Sequence, residues 1–136
     1  MRTAIVVASM VAAAAGAGPA TAADACRGID TTLTEARRQA YAPIVVGSIG
    51  TEVAASEVDL EDFLKDGDWI VVGAVVPVAD GEGFFFYERA GSKLTFRDVW
   101  GGMADPSEAG EIAAWAEALG APRALARCFA NRVSGG

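Results

Sequence analysis

The sequence contains no histidine and only two cysteines among its 136 residues. Histidine is the side chain most often used as a general base or metal ligand near neutral pH, and it activates serine and cysteine nucleophiles. Two isolated cysteines without Cys-x-x-Cys spacing give no support for a redox centre or a zinc site. These absences favour a protein that is not an enzyme, with no catalytic residues, no metal site and no cofactor.

Positive charge is also scarce. Eleven Lys and Arg residues face 18 Asp and Glu residues, which gives a formal net charge of −7 at pH 7. An acidic chain is repelled by nucleic acid and by anionic membranes, so neither is expected as a partner. A basic protein would be attracted, which makes this class of protein a candidate partner.

The N-terminal segment has the organisation of an export signal. Arg2 supplies the positive start, residues 4–16 form an alanine-rich apolar core, and Ala20-Thr21-Ala22 matches an A-x-A cleavage site. The apolar core is too short for a permanent membrane helix. We therefore expect residues 1–22 to be removed and residues 23–136 to form a single periplasmic or secreted domain, with a charge of about −8 once Arg2 is lost.

The two cysteines lie at opposite ends of the expected mature domain, at Cys26 and Cys128. An isolated pair in an oxidising compartment is most simply a disulfide. Closing a loop of about 100 residues contributes about 4–5 kcal/mol in the chain-entropy model. The alternative for Cys26 is lipidation, because Ala25-Cys26 could end a lipobox, but Ala23-Asp24 is a poor lead-in to such a motif.

Residues 66–100 predict a run of antiparallel strands. Strong turn signals at Asp66-Gly67, 80–83 and 90–92 divide this stretch, and the segments between them are rich in β-branched and aromatic residues. The predicted strands are residues 69–76, 84–88 and 94–100. Residues 58–64 partly alternate apolar with acidic and predict an opening strand, with a short helix capped by Ser56 as the alternative.

The predicted strands differ in how much cover they need. In the strand over 94–100, alternation places Leu94, Phe96 and Trp100 on one face, as in a half-buried edge strand. The strands over 69–76 and 84–88 are apolar on both faces, so they require cover on two sides. Helices at both ends of the chain are the favoured cover, and a partner subunit or a ligand is the alternative. If the cover is a partner, the candidate binding face consists of Trp69, Phe84, Phe86 and Trp100.

Helices are predicted on both sides of the sheet in the sequence. Thr32-Leu33-Thr34-Glu35 has capping-box spacing, which predicts a helix from Leu33 with an apolar face that includes Ala36 and Ala40. Pro43 is expected to end or kink this helix, and a second segment would continue to Gly50.

The C-terminal region predicts two further helices. Asp105-Pro106-Ser107-Glu108 has the form of a helix start, and Gly120 is expected to end that helix. Pro122 would open the last helix, through about Asn131. The predicted buried positions are Ile112, Trp115, Ala116 and Leu119 in the first helix and Leu125, Cys128 and Phe129 in the second.

An acidic run is the remaining candidate for chemistry. It consists of Glu57, Asp59, Glu61, Asp62, Asp66 and Asp68. An EF-hand loop is excluded because Leu64 occupies a central ligand position and no closing Glu follows at the required distance. The run is interpreted as a solvated acidic face, with a looser calcium site as the alternative. A glycosidase-like carboxylate pair has no spacing signature, so the sequence selects no pair.

Three short motifs carry a resemblance. They are Gly67-Asp68-Trp69, Asp98-Val99-Trp100-Gly101, and Trp115 followed by Leu119-Gly120-Ala121-Pro122. With these the chain resembles a loose group of small exported bacterial proteins that share a G-D-W hairpin, a sheet and a tryptophan before a G-x-P step. The resemblance implies a fold and no activity. The chain departs from the usual pattern in its short connection at residues 80–83.

The sequence therefore predicts an α+β domain with an N-terminal helix, an antiparallel sheet of about four strands, two C-terminal helices and one disulfide. Its order of elements is similar to cystatin-like and NTF2-like modules, an analogy of fold that carries no activity. The leading functional hypothesis is a non-enzymatic exported binding protein, inhibitor or accessory factor. The alternatives are a carrier of a small apolar ligand, a carboxylate-type hydrolase, and a homodimer that buries the sheet.

Overall fold

The computed structural model describes residues 22–50 and 52–135, so the predicted signal peptide lies almost entirely outside the described residues. The fold is α+β, as predicted. In chain order the elements are α1 (Ala22–Ala25), α2 (Glu35–Ile49), β1 (Asp59–Asp66), β2 (Trp69–Val75), β3 (Glu82–Ala90), β4 (Lys93–Gly101), α3 (Ala109–Ala118) and α4 (Arg123–Ser134). Single 3-10 turns, Ala55–Glu57 and Pro106–Glu108, precede β1 and α3.

The four strands form one antiparallel meander in the order β1-β2-β3-β4. The first hairpin closes with Asp66 paired to Trp69, and Gly67 in its turn has a φ of 57°, a backbone conformation that glycine adopts without steric cost. The strand predicted over residues 58–64 is confirmed as β1. The alternative, a short helix over these residues, is wrong; a single 3-10 turn, Ala55–Glu57, lies before the strand.

Helices of the chain itself cover both faces of the sheet. One face packs under α3 and α4, in a cluster that includes Val71, Phe86 and Phe129. The other face packs under α2, in a cluster that includes Val45, Ile70 and Val72. Consecutive residues of β2 contribute to opposite clusters, which explains why this strand is apolar at nearly every position.

A β-bulge in β4 changes which side chains share a face. Phe86 pairs with Asp98 and Tyr87 pairs with Phe96, so Arg97 is an extra residue in β4. The bulge reverses the alternation, which places Phe96 on the α2 side and Trp100 on the α3/α4 side. The prediction that Leu94, Phe96 and Trp100 share one face was therefore wrong, because strict alternation holds only for an unbulged strand.

Helix α2 begins two residues later than predicted and does not end at its proline. Thr34 is the N-cap, and its Oγ1 accepts a hydrogen bond of 3.1 Å from the Arg37 N–H. The helix continues past Pro43, which is exposed, and ends at Gly50 with a φ of 74°. A proline inside a helix removes one backbone hydrogen bond. We attribute the continuation to the packing of Val45, which is fully buried against the sheet.

The apolar face of α2 is also shifted from the predicted one. Ala36 and Ala40 are exposed, whereas Ala42 and Val45 are buried. The first two turns of the helix contact β1 at the edge of the sheet, through Arg37, Arg38 and Tyr41. There Arg37 donates hydrogen bonds to both carboxylate oxygens of Asp30, at 3.0 and 2.6 Å, and lies over the Phe63 ring.

The C-terminal helices follow the prediction closely. The Asp105 N–H donates to Glu108 Oε2 over 2.7 Å, and α3 ends before Gly120, where φ is 107°. The predicted disulfide joins Cys26 to Cys128 with a Cα–Cα distance of 4.5 Å. It ties the segment that follows α1 to the middle of α4.

Candidate functional site

The predicted binding face lies mostly inside the protein. Trp69, Phe84 and Phe86 are 5%, 6% and 0% exposed, because α3 and α4 cover the face of the sheet on which they lie. The Phe129 ring of α4 packs 4.8 Å from Phe86 and 5.4 Å from Phe84, measured between ring centroids. The apolar side chains that suggested a partner are therefore core residues, and only Trp100 is partly exposed.

An open cleft lies where this covered face reaches the end of α4. We call it the Trp100 cleft; its volume is about 580 Å³. Its side chains include two members of the predicted face and three charged groups. They are Phe84, Trp100, Asp80, Glu82 and Arg132, with Met103 at the margin.

Strand register places the aromatic floor of the cleft. Phe84 of β3 pairs directly with Trp100 of β4, and their ring centroids are 6.4 Å apart. The bulge at Arg97 is the reason that Trp100 faces this side. Beyond β4 the chain turns at Gly102, and the Met103 side chain that follows is fully exposed. The cleft thus has an aromatic floor and a flexible thioether at its margin.

Two carboxylates meet beside the cleft over a single glycine. Gly73 in β2 pairs with Asp62 of β1 on one side and with Phe84 of β3 on the other. A Cβ built on Gly73 would collide with Glu82 Oε1 and would lie 2.8 Å from Asp62 Cβ. Because residue 73 has no side chain, the Glu82 carboxylate occupies the space above the strand. We call this arrangement the Gly73 niche.

The Glu82 carboxylate is poorly neutralised in the niche. Its Oε1 atom is buried without a hydrogen-bond partner, and the described part of the chain gives it no ion pair. Asp62 has a partner, since its Oδ1 lies 3.4 Å from Arg132 Nη1. Burial raises the pKa of Glu82, the nearby charges of Asp62 and Glu61 raise it further, and the charge of Arg132 opposes these effects. Burial also raises the pKa of Asp62, against the opposing effect of Arg132.

The niche can therefore hold a proton or lie next to a cation. A buried, unpaired carboxylate is costly, and either protonation or a positive group removes that cost. Since Glu82 also lines the open cleft, a cation in the cleft could reach the carboxylate without any rearrangement of the sheet.

A second groove lies on the α2 side, along the edge strand. We call it the β4-edge groove; its volume is about 350 Å³. Its walls include Ile49, Val76 and Phe85 together with three exposed apolar side chains. These are Val78, Phe96 and Val99, which are 58%, 40% and 42% exposed. The groove exists because α2 does not extend over β4.

The acidic run does not form a cation cage. Most of its side chains are on β1 or in the turn that follows it, and Asp62 forms an ion pair with Arg132 of α4. Within residues 22–50 and 52–135 no three Asp, Glu or Cys side chains are arranged to hold a metal ion. No helix among the described residues is long and apolar enough to cross a membrane.

Nothing in the sequence pattern points to Glu82 as a site residue. Its position between Gly81 and Gly83 predicts a turn, whereas in the structure it begins β3. The available signal was Gly73, a glycine in the middle of a strand of large apolar residues, where close approach of another group is one expected reason for the residue.

Comparison with protein-family models, curated proteins and solved structures found no match to this chain. The resemblance to small exported bacterial proteins therefore stays a prediction. Function has to be argued from the geometry of the two grooves.

Proposed function

We propose that the protein is a non-enzymatic exported binding protein that takes a positively charged side chain of a partner into the Trp100 cleft. The observation that carries this proposal is the unpaired Glu82 carboxylate beside the Trp100 and Phe84 rings. The partner of this proposal is a basic protein, toward which the molecule would act as an inhibitor or accessory factor.

The chemistry of the cleft suits a lysine or arginine side chain. Aromatic faces attract a cation and also pack against its aliphatic stem. Glu82 supplies a counter-charge that the described residues leave uncompensated. Arg132 is the basic residue of the cleft, and its interaction with Asp62 directs its charge toward the niche.

The charge of the whole molecule supports the same choice of partner. The formal charge of −7 attracts basic proteins over distances of about one Debye length, roughly 8–10 Å in physiological salt. The Cys26–Cys128 disulfide supports an oxidising location, in the periplasm or outside the cell.

A binding titration with a small cation tests the proposal. The probe is Nα-acetyl-lysine methylamide, followed by amide and indole NMR shifts, with Nα-acetyl-glutamine methylamide as the neutral control. We expect the lysine probe to bind in the millimolar range and to shift the Trp100 indole N–H and the Glu82 and Arg132 amides. The glutamine probe should leave these signals unchanged.

Substitutions in the cleft test whether the lysine probe binds there or elsewhere on the acidic surface of the protein. Glu82→Gln and Trp100→Leu should each weaken binding of the lysine probe at least threefold. Phe96→Leu is the matched control, because Phe96 lies in the β4-edge groove on the other face. If the lysine probe shifts only residues of β1, or binds the Glu82→Gln variant as well as wild type, the proposal is overturned.

The β4-edge groove supports a second candidate, the binding of a small apolar ligand. Its exposed Val78, Phe96 and Val99 form a continuous apolar lining, which is the feature that favours this function. The neutral dye Nile red is the probe. We expect its fluorescence to rise on binding and Val78→Asp to abolish the rise, with Trp100→Leu as control. Unchanged binding to Val78→Asp would contradict this function.

A carboxylate-type hydrolase is less well supported by the same geometry. Such an enzyme needs two carboxyl groups that reach opposite sides of a substrate bond. The Asp62 side chain is only 13% exposed and is paired with Arg132, so one member of the pair is directed away from the cleft. The arrangement favours binding.

A further inference from the structure

We propose that binding in the Trp100 cleft is coupled to a proton: Asp62 and Glu82 hold one proton between them in the free protein, and a cation that enters the cleft replaces it. This inference rests on the function proposed above and adds its regulation. It predicts that the protein binds basic groups at neutral pH and releases them as the pH falls.

The Gly73 niche brings the carboxylates of Asp62 and Glu82 close enough for the charge of one to affect the ionisation of the other. Asp62 and Glu82 approach the same Gly73 Cα from opposite neighbouring strands. Glu82 Oε1 is buried there without a donor, so the atom is deprived of water and receives no hydrogen bond in return. Each ionised carboxylate therefore makes ionisation of its neighbour less favourable.

The surrounding charges do not compensate the pair. β1 contributes Glu61 and Asp62, the loop before β3 contributes Asp80, and α4 contributes Arg132. β2 contributes only Gly73 at this point, which has no side chain. With Glu82, four acidic groups therefore face one basic group, and Arg132 is already engaged with Asp62. Either a proton or an external cation is needed to balance Glu82.

Glu82 is the first residue of β3, so its side chain lies at the end of the sheet that borders the cleft. Gly81 has a φ of 82°, a conformation that favours glycine, and it immediately precedes the strand. Glu82 forms part of the wall of the Trp100 cleft as well as the lid of the niche. When the proton is lost, rotation of the side chain toward the cleft separates the two charges and presents the Glu82 carboxylate to a ligand.

Linkage fixes the sign of the pH dependence. The cation binds the form of the protein that has lost the proton, so binding releases a proton and affinity falls as pH falls. Below the pKa of the pair, one linked proton corresponds to a tenfold loss of affinity for each pH unit.

The experiment measures the affinity for Nα-acetyl-lysine methylamide by NMR between pH 8 and pH 5, together with the carboxyl ¹³C shifts of Asp62 and Glu82. In wild type we expect at least a threefold loss of affinity over this range. One carboxyl of the pair should titrate above the range of ordinary glutamates, and saturating probe should move that titration to lower pH.

Two variants separate the coupling from general acidity. Asp62→Asn removes the neighbour that shares the proton, so the carboxyl titration of Glu82 and the loss of affinity should both move to lower pH. Asp66→Asn, at the opposite end of the same strand, is the matched control and should change the profile little, because Asp66 is not among the charges that act on Glu82. Amide spectra of both variants verify that the sheet is intact.

The outcomes are distinguishable. If the probe binds equally at pH 8 and pH 5, or if both carboxyls titrate at ordinary values, the proton coupling is wrong and the binding function stands. If the probe does not bind at any pH, the proposed function fails and this inference fails with it.

Discussion

The two faces of the sheet are built differently, and each leaves a different kind of exposed site. The α3/α4 face has two helices, a disulfide and an aromatic cluster around Phe129. The α2 face has one long helix that stops short of the edge strand. The more completely covered face contains the unpaired carboxylate of Glu82, and the less covered face exposes apolar side chains. The two grooves therefore differ in chemistry. The Trp100 cleft contains charged groups, and the β4-edge groove exposes apolar side chains.

The largest test of this comparison is removal of the disulfide. Replacing Cys26 and Cys128 together with Ala should lower the free energy of unfolding by about 4–5 kcal/mol, because the bridge closes a loop with a sequence separation of 102. Urea unfolding with and without the substitutions measures the loss. Hydrogen exchange should increase more in α4 than in α2, because the bridge is attached only to the α4 side.

Reduced wild-type protein is the control for that variant. It should unfold at the same urea concentration as the double variant, since both lack the same cross-link. A loss below about 1 kcal/mol would show that the unfolded chain is already restricted near these residues, and the contrast between the faces would not depend on the bridge.

A matched pair of phenylalanines tests the packing difference directly. Phe129 of α4 is fully buried among aromatic rings, whereas Phe96 of β4 is 40% exposed beside Tyr87. Phe129→Ala should cost about 3–5 kcal/mol, and Phe96→Ala about 1 kcal/mol. Thermal and urea unfolding measure both. If Phe129→Ala does not fold, Phe129→Leu should still cost more than Phe96→Leu; equal losses would contradict the asymmetry.

The sequence predicted the architecture well because its main signals are local. The Asp66-Gly67 turn, the Asp105-Pro106 helix start and the cysteine pair each depend on a few adjacent residues or on compartment chemistry. The covered strands were also predicted from composition. The cover was predicted to be helices from both ends of the chain, and the structure confirms this. Which helix lies on which face is a tertiary fact that the sequence left open.

The candidate sites were not predictable in the same way. The Trp100 cleft requires a bulge at Arg97, which no local pattern revealed and which reverses the orientation of the rest of β4. The Gly73 niche requires Asp62, Gly73 and Glu82 to meet across three strands, so it depends on register. Two residues of the predicted binding face, Phe84 and Trp100, line the cleft, whereas Trp69 and Phe86 are buried in the core.

A smaller effect distinguishes the niche from the rest of the α3/α4 face. The pKa of Glu82 is raised in the folded state, so the fold binds more protons than the unfolded chain above the ordinary glutamate pKa. Stability therefore falls as pH rises through that window. Glu82→Gln should remove this loss and raise stability at pH 8 by up to about 1 kcal/mol, because the side chain is only partly buried.

Melting temperatures of wild type and Glu82→Gln between pH 4 and pH 8 measure this effect. The two curves should approach each other toward pH 4, where Glu82 is mostly protonated in both the folded and the unfolded chain. Glu88→Gln is the matched control, because Glu88 is also on β3 but forms an ion pair with Arg97. If Glu82→Gln were less stable than wild type at pH 8, the Glu82 carboxylate would have a hydrogen-bond or charge partner in solution, and this prediction would be wrong.

The smallest effect belongs to the α2 side and has the opposite sign. Hydrogen bonds from Arg37 and from the Thr32 N–H lower the pKa of Asp30 to about 2. Its contribution to stability is present above the ordinary aspartate pKa and is lost as pH falls through about 2. Asp30→Asn should cost about 0.5 kcal/mol at pH 6, since the pair is solvent-screened, and nothing near pH 2.

The Asp30→Asn variant is a clean test because its other contacts do not need the charge. The backbone of residue 30 still pairs with Lys65, and Arg37 still donates to the Thr32 carbonyl and lies over Phe63. Asp30 on the α2 side and Glu82 on the α3/α4 side thus make contributions to stability that change with pH in opposite directions. If Asp30→Asn and Glu82→Gln shifted the melting curve in the same direction with pH, the assignment of paired charge to the α2 side and unpaired charge to the α4 side would be wrong.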